Sequence, residues 1–235
     1  MSPTAEEALG AMYLTWQSYA INWQELKLRA KRRGVMSIGS DGERRLQESF
    51  KTKSRANSFY KNQVLTYLND EMKNFVRKVE LCFISTADAK GNCDCSLRSG
   101  EGGFFFVLDE KTILYPEYRG NGVMASLGNI SENPHIGLMF MDFYEVGIGL
   151  HVNGAAEIIE SEDLQIDFNC DQNLRFSREK ERAERWVLVS VEEAYIHCSK
   201  HIPLMQKRDK NLAWGTDDVK LKGGDFFKAK NSPQS

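Results

Sequence analysis

A glycine-rich turn within residues 114–135 carries the residue types that most clearly suggest chemistry. In the segment LYPEYRGNGVMASLGNISENPH, Gly120 and Gly122 form a turn that leads into a short predicted helix. Backbone N–H groups at such a turn lie at the positive end of the helix dipole, where a phosphate binds well. Arg119 beside the turn and Ser126 one turn into the helix would add a charged donor and a hydroxyl. The segment therefore predicts a phosphate-binding turn.

The same glycines also fit the fingerprint of a dinucleotide-binding site. Residues 120–125 match G-x-G-x-x-A, and Asp142 follows at the distance expected for the acidic residue of that fingerprint. A Rossmann fold needs repeated crossover helices, however, and no alternating β-α series follows the turn. We therefore disfavour a dinucleotide site. A glycine-rich loop without a ligand is the structural alternative that stays open.

Two of the four histidines have the spacing of a helical metal site. His197 and His201 are spaced i, i+4, which on a helix would place both rings on one face. The segment Ala194–Cys198 has the pattern of a strand, and a strand breaks that geometry. Cys93 and Cys95 have no second pair near them at zinc-site spacing. We therefore expect no metal site.

The predicted elements change character near residue 80. Apolar spacing predicts helices through most of residues 1–80, the first from Thr4 to about Arg33 and the second opening at Ser40, with Glu43 completing a capping box. Beyond that point, short β-type runs alternate with Gly, Asn and Asp. Hairpin-length connections make neighbouring strands antiparallel, and many short antiparallel strands favour a barrel. The predicted strands are Leu81–Ala87, Cys93–Arg98, Phe104–Leu108, Thr112–Tyr115, Ile136–Phe143, Gly147–Glu160 and Trp186–Cys198.

Helices first and strands after predict an α+β protein with three parts. Residues 1–80 form a helical extension, residues 81–205 form the barrel, and residues 206–235 form a loop-like tail. The polar stretch 161–185 interrupts the barrel strands. We expect a helical excursion there.

Composition and charge exclude several classes of function. The 31 basic and 33 acidic residues give a net charge of −2, so no overall field steers the chain to nucleic acid or to an anionic membrane. No apolar run approaches the roughly 20 residues that span a bilayer, and the acidic start lacks a secretory pattern. The five cysteines form no disulfide framework and are expected to be reduced. We expect a cytoplasmic protein that acts on a small molecule.

Six segments, taken in order, resemble the pyridoxamine 5'-phosphate oxidase superfamily over about residues 56–205. Their order and spacing together carry the likeness. The fold that this resemblance implies is α+β: a six-stranded antiparallel split β-barrel, here with an N-terminal helical extension. The segments are FISTADAKG at 83–91, CSLRSG at 95–100, GF at 103–104, LYPEYRGN at 114–121, NISENP at 129–134 and LHVNG at 150–154.

The resemblance implies a homodimer that holds FMN between its two copies. The activity it implies is that of an FMN-dependent oxidoreductase, which passes a hydride between a small-molecule substrate and N5 of the flavin. The last barrel strand of this family approaches the partner's flavin, so His197 and Lys200 become the candidate catalytic residues, while His151 would face either the flavin or solvent. The implied cofactor-binding residues are Ser96, Leu97, Arg98, Tyr115, Pro116, Arg119, Asn121, Gly122, Val123 and Ser126.

The chain differs from the vitamin B6 enzyme of that superfamily in two places. The biosynthetic oxidase has an adjacent basic pair where this chain has Asn121-Gly122-Val123, and it has an Arg-x-His element near its end that this chain lacks. Pyridoxamine phosphate is therefore disfavoured as the substrate. Three alternatives to the FMN enzyme stay open: a deazaflavin-dependent reductase, a haem-binding or haem-degrading protein with His197 or His201 as ligand, and a flavin-binding module without turnover.

Overall fold

The computed structural model describes residues 38–209, except 167 and 169, together with short pieces between residues 21 and 28 and between residues 218 and 231. The helix predicted over residues 4–33 lies mostly outside this part. The helix prediction is wrong at Ile21–Asn22. These two residues form strand β1, which pairs in parallel with strand β9 (Leu164–Gln165). Leu26 is fully buried in the cluster that also contains Leu164. Pairing with a distant segment, rather than local apolar spacing, decides the structure there.

In residues 41–76, three helices and a two-residue strand precede the main sheet. Helix α1 begins behind the predicted capping box, in which Ser40 Oγ accepts from Glu43 N–H at 3.2 Å and the Glu43 carboxylate accepts from Ser40 N–H at 3.1 Å. The expected helices are confirmed over residues 41–76, apart from the short strand between α2 and α3. The elements are α1 (Asp41–Ser49), α2 (Lys53–Gln63), β2 (Val64–Leu65) and α3 (Asp70–Val76).

Seven longer strands form one antiparallel sheet in the order β4-β3-β7-β8-β10-β6-β5, and β2 pairs with the end of β10. No pairing joins β4 to β5 in the described part of the chain, so the barrel stays open between these two edges. The fold is the predicted α+β split β-barrel, with eight strands in its sheet rather than six. The strands and the remaining helices are β3 (Leu81–Ala87), β4 (Cys93–Ser99), β5 (Phe106–Asp109), β6 (Thr112–Tyr118), α4 (Ala125–Glu132), β7 (His135–Asp142), β8 (Ile148–Glu160), α5 (Cys170–Arg182) and β10 (Ala183–His197).

The strand boundaries follow the predicted ones closely, and the largest differences lie in β6 and β10. β6 continues to Tyr118 and so contains Pro116, which pairs with Trp186 of β10. Proline is tolerated there because the pairing of β5 with β6 ends at Leu114, so β6 has no strand on that side at this point. The early start of β10 at Ala183 pairs it with Tyr118.

Side chains from both halves of the sheet meet in one aromatic core. The Phe105 ring lies 5.0 Å from the Tyr115 ring and 4.9 Å from the Phe140 ring, and all three side chains are buried. The helical excursion predicted for residues 161–185 is α5, whose Phe176 ring packs 5.1 Å from the Trp186 ring. Burial of each such ring stabilises the fold by about 1.5–3 kcal/mol. These contacts hold the sheet that positions the site.

Two further findings concern the described residues only. None of their helices combines the length and the apolar character needed to cross a bilayer. Four of the five cysteines are described as free thiols, Cys82 in the core and the other three exposed: Cys93, Cys95 and Cys198.

Candidate functional site

Strand β4 and helix α4 bring three polar side chains together at one end of the barrel. Asp94 and Ser96 are two residues apart in β4 and therefore point to the same face, against which α4 packs. Ser126 Oγ donates to Asp94 Oδ2 at 2.9 Å, and Ser96 Oγ donates to the same oxygen at 3.0 Å. The two hydroxyls are 3.5 Å apart, although the residues are separated by 30 positions. We call Asp94, Ser96 and Ser126 the serine–aspartate cluster.

The glycine-rich turn leads into α4 as predicted. Gly122 and Met124 have positive φ angles of 82° and 56°, and Met124 immediately precedes the first helical residue. Met124 provides no side-chain cap, so the first amides of α4 have no side-chain acceptor there. Val123 N–H donates to Asn121 Oδ1 at 3.0 Å, and the turn is exposed. An anion would meet these amides and Arg119 at the positive end of the helix dipole.

An ion pair lies next to the cluster on the inner face of the sheet. Arg98 follows Ser96 on the same face of β4, and its Nη2 and Nε donate to Glu117 Oε1 at 2.8 and 2.9 Å. Burial raises the pKa of Glu117, and the guanidinium opposes that rise. Tyr115 and Pro116, which precede Glu117 in β6, are buried. The Arg98 guanidinium is therefore engaged within the chain, and the Tyr115 ring belongs to the core.

A second polar group, on the outer face of the sheet, consists of His151 and His197, which we call the histidine pair. Nε2 of His151 lies 2.8 Å from Nδ1 of His197, and the Tyr195 ring stacks on His151 with centres 4.8 Å apart. Burial lowers the pKa of His151, and His197 adds to this effect. Gly149 leaves room for the pair, because a Cβ there would come 2.8 Å from the Cβ of His197. Since Nδ1 of His197 is engaged, Nε2 is the atom that this ring presents to a ligand.

A cavity of about 550 Å³ lies between the α1–α2 helices and strands β8 and β10, and Tyr195, which stacks on His151, lines it. Its walls include Phe59, whose ring meets Tyr195 edge-on at 6.0 Å. Its polar side includes Asn153, whose Nδ2 donates to Glu193 Oε2 at 3.2 Å. This volume is typical of small-molecule sites.

A family model described as Pyridoxamine 5'-phosphate oxidase matches residues 68–198, more than half of the 235-residue chain. The chain belongs to this family. The match contains the serine–aspartate cluster, the glycine-rich turn and the histidine pair, so both polar groups lie within the family's own domain. It confirms the superfamily expected from the sequence, which is broader than the vitamin B6 enzyme itself.

Several solved structures are similar to part of the chain. HupZ of Group A Streptococcus is 23% identical with a TM-score of 0.40, over 55% of this chain and 93% of that one. HutZ of Vibrio cholerae, described as a haem storage protein, is 14% identical with a TM-score of 0.38, over 55% and 94%. An F420 reductase is 13% identical with a TM-score of 0.38, over 54% and 98%. A search of curated proteins found no match.

Within one chain of this family member, the predicted site residues fall into two separate groups. Ser96 and Ser126 lie on the inner face at the β4 edge, whereas His197 lies on the outer face of β10, with β3, β7 and β8 in between. Four steps of about 4.8 Å separate the two strands by roughly 19 Å. Leu97 points outward and is 51% exposed, and Lys200 is exposed in the short turn after β10. The role of each of these residues stays a prediction.

Asp94 and Glu117 are polar residues of the inner face that were not predicted. A signal for Asp94 exists, because it stands two residues before Ser96 in a predicted strand and so shares its face. Glu117 has no such local signal. It meets Arg98 only because β4, at one edge of the sheet, faces β6 across the opening of the barrel.

Proposed function

We propose that the protein is an FMN-dependent oxidoreductase that works as a homodimer on a small molecule. The observation that carries this proposal is the meeting of the serine–aspartate cluster with the uncapped start of α4, in a chain of this family. Hydroxyls, free amides and Arg119 are groups that hold a hydroxylated, phosphorylated cofactor. The residues present therefore fit FMN, with an anion site at the turn and a polar site beside it.

A row of partly exposed side chains across the outer face, three of them apolar, supports the homodimer. Directly paired residues run from Leu97 through Phe83, Met139 and His151 to Tyr195, across strands β4, β3, β7, β8 and β10. None of these five side chains is fully buried within one chain, and contiguous exposed apolar surface marks interaction sites. A cofactor held on the inner face cannot touch the histidine pair of its own chain through the sheet. A second copy placed with its own β4–α4 edge against the outer face would bring its cofactor to that pair.

The chain's own residues would orient the cofactor and substrate, exclude water and move a proton. When bound, FMN supplies the redox step by hydride exchange at N5 of its ring. His197 would exchange a proton with the substrate through its Nε2 atom. His151 would hold the His197 ring in place through its contact with Nδ1 of that ring. Lys200 would hold an anionic group of the substrate. The cavity beside Tyr195 has room for a small substrate.

A cytoplasmic location is part of the same proposal. The free thiols of Cys93, Cys95 and Cys198 are exposed. Exposed thiols stay reduced in the cytosol but oxidise in secretory compartments. They therefore support an intracellular role.

The test of this function is the identity of the cofactor and the size of the assembly. The purified chain, reconstituted with flavins, is expected to release FMN on heating, as determined by mass spectrometry. Light scattering is expected to give twice the mass of one chain. Release of FAD, haem or a deazaflavin, or failure to take up any flavin, would contradict the proposal. A monomer that binds FMN tightly would contradict the dimeric site while leaving the cofactor assignment intact.

A further inference from the structure

The cavity that Tyr195 lines is built in large part by residues outside the family's domain. The family match begins at residue 68, whereas helices α1 and α2 end before it. Glu43 of α1, together with Phe59 and Tyr60 of α2, lines the cavity opposite Glu193 and Tyr195 of β10. Neither histidine of the pair lines it. The features of the family's own domain therefore do not explain which molecule this cavity takes.

Aromatic rings form much of the cavity wall. The Phe59 and Tyr195 rings meet at an interplanar angle of 80°, and the Tyr60 side chain lines the same space. The Arg44 guanidinium lies 4.5 Å from the centre of the Tyr60 ring, so one ring of this wall already binds a cation. The faces of aromatic rings attract cations, and several rings together bind methylated ammonium groups. The wall therefore suits an organic cation.

Two carboxylates add negative charge to this wall. The Glu43 carboxylate accepts from the Tyr60 hydroxyl through Oε2 and from Ser40 N–H through Oε1. The bond from Tyr60, more than any other cause, lowers the pKa of Glu43, so this carboxyl is charged at neutral pH. The Glu193 carboxylate accepts from the Asn153 amide. Among the residues that the structure describes, no ion pair engages either carboxylate.

The nearby arginines leave Glu193 as the charge available to a ligand. Arg44 lies beside Glu43 and offsets part of its charge. Arg55 also lines the cavity, but its side chain is exposed to solvent, which screens its charge. Burial raises the pKa of Tyr195, and the charges of Glu193 and Glu43 add to this rise against a hydrogen bond with Asn153. The field of both carboxylates therefore reaches the ring that lines the cavity.

We propose that this cavity binds a methylated ammonium group of a small molecule, held by the rings of Phe59, Tyr60 and Tyr195 and by the charge of Glu193. Such a group needs ring faces and a neighbouring negative charge rather than hydrogen-bond acceptors, because it has few or no N–H donors. The ammonium is the part that is recognised, and the reacting part of the molecule would extend past Tyr195 to the histidine pair. That the molecule is the substrate rests on the proposed function, whereas binding of its ammonium group requires no flavin.

The test compares choline with 3,3-dimethyl-1-butanol, which has the same shape but carries carbon in place of the charged nitrogen. Isothermal titration calorimetry of the purified chain should show choline binding at least about tenfold more tightly than the alcohol. Glu193→Gln should weaken choline by about fivefold and leave the alcohol unchanged. Phe59→Leu keeps an apolar side chain but loses the ring, and should weaken choline by about threefold to tenfold. Arg55→Gln removes a like charge and should tighten choline binding slightly.

Glu184→Gln is the matched control, because it makes the same change of charge at an exposed position near the other end of β10. Choline should bind this variant as it binds the unaltered chain. Equal affinities for choline and the alcohol, no binding of either, or equal losses in Glu193→Gln and Glu184→Gln would overturn the inference. Urea unfolding of each variant confirms that it is folded.

Titrations with and without added FMN separate this inference from the proposed function. A chain that binds choline but takes up no flavin would contradict the proposed function and leave the ammonium site standing. A chain that binds FMN but does not distinguish choline from the alcohol would overturn the ammonium site and leave the flavin function standing.

Discussion

The serine–aspartate cluster and the histidine pair lie on opposite faces of one sheet. They differ in which of their hydrogen-bonding atoms are already engaged within the chain. In the cluster, Ser126 is buried and both hydroxyl hydrogens are used by Asp94. In the pair, one contact engages Nδ1 of His197, and Nε2 points away from it. In the proposed function, the cluster therefore holds a polar ligand in place, whereas the pair exchanges a proton.

The surroundings of the two groups differ in the same sense. The cluster adjoins a helix end and a glycine-rich turn, which bind charge without titrating near neutral pH. The pair adjoins Tyr195, which in turn lines a cavity of small-molecule size. Because a sheet presents alternate residues to its two faces, one strand sequence can serve both tasks without mixing them. Variants on each face should then change different measurements.

The largest expected effect is on the inner face. Arg98→Met should destabilise the fold by about 3–5 kcal/mol, because it leaves the Glu117 carboxylate buried and unpaired. The side chains of this ion pair are only 17% and 10% exposed. The matched control is Arg185→Met, whose partner Glu160 lies 3.2 Å away in a pair that is 35% and 52% exposed. Arg185→Met should lower the free energy of unfolding by less than about 1 kcal/mol. Urea unfolding measures both.

A double variant sharpens this prediction. Replacing Arg98 by Met and Glu117 by Leu together removes the buried charge with the pair, so most of the lost stability should return. Equal losses for Arg98→Met and Arg185→Met would show that the pair across the barrel opening contributes no more than a surface pair.

The next largest effect is expected on the outer face and in turnover rather than binding. His197→Ala should slow the flavin half-reaction with substrate by about 100-fold or more, the usual contribution of a general acid or base. Lys200→Ala should slow it less, and FMN affinity should stay unchanged in both variants. Rapid-mixing reduction and reoxidation of the bound flavin measures the rates. His201→Ala, at an exposed position four residues after His197, is the control. Unchanged rates in the first two variants would make the pair structural.

Local patterns predicted the strands but not the contacts between them. β3 has the predicted ends. Its apolar residues alternate along the strand, and the turn at Asp88–Gly91 marks where it ends. It begins where the spacing of apolar residues changes from helical to alternating. Ile21–Asn22 was predicted wrongly, since its partner lies far along the chain. The same difference between local pattern and long-range contact holds for the two polar groups. Ser96 and Ser126 were each predicted, whereas the bond between His151 and His197 depends on the register of β8 against β10, which no local spacing specifies.

The smallest expected effect concerns the pH dependence of stability, to which His151 of the histidine pair contributes. Burial, followed by the neighbouring His197, lowers the pKa of His151 below its ordinary value of 6.5. Between the lowered pKa and about pH 6.5, the unfolded chain binds a proton that the folded chain does not. The free energy of unfolding should therefore fall as the pH is lowered below about 6.5, and recover as it is raised.

His151→Gln removes this titrating group, so its urea midpoint should change less between pH 7.5 and pH 5.5, taken as about one unit on either side of the ordinary histidine pKa. The comparison uses the difference between variant and unaltered chain, because the other titrating groups then cancel. His135→Gln, at an exposed position on β7, is the control and should follow the unaltered chain. Ser126→Ala, on the inner face, should also follow it. If His151→Gln loses as much stability on acidification as the unaltered chain does, the proton uptake on unfolding comes from elsewhere, and the two faces are not separated by their response to pH.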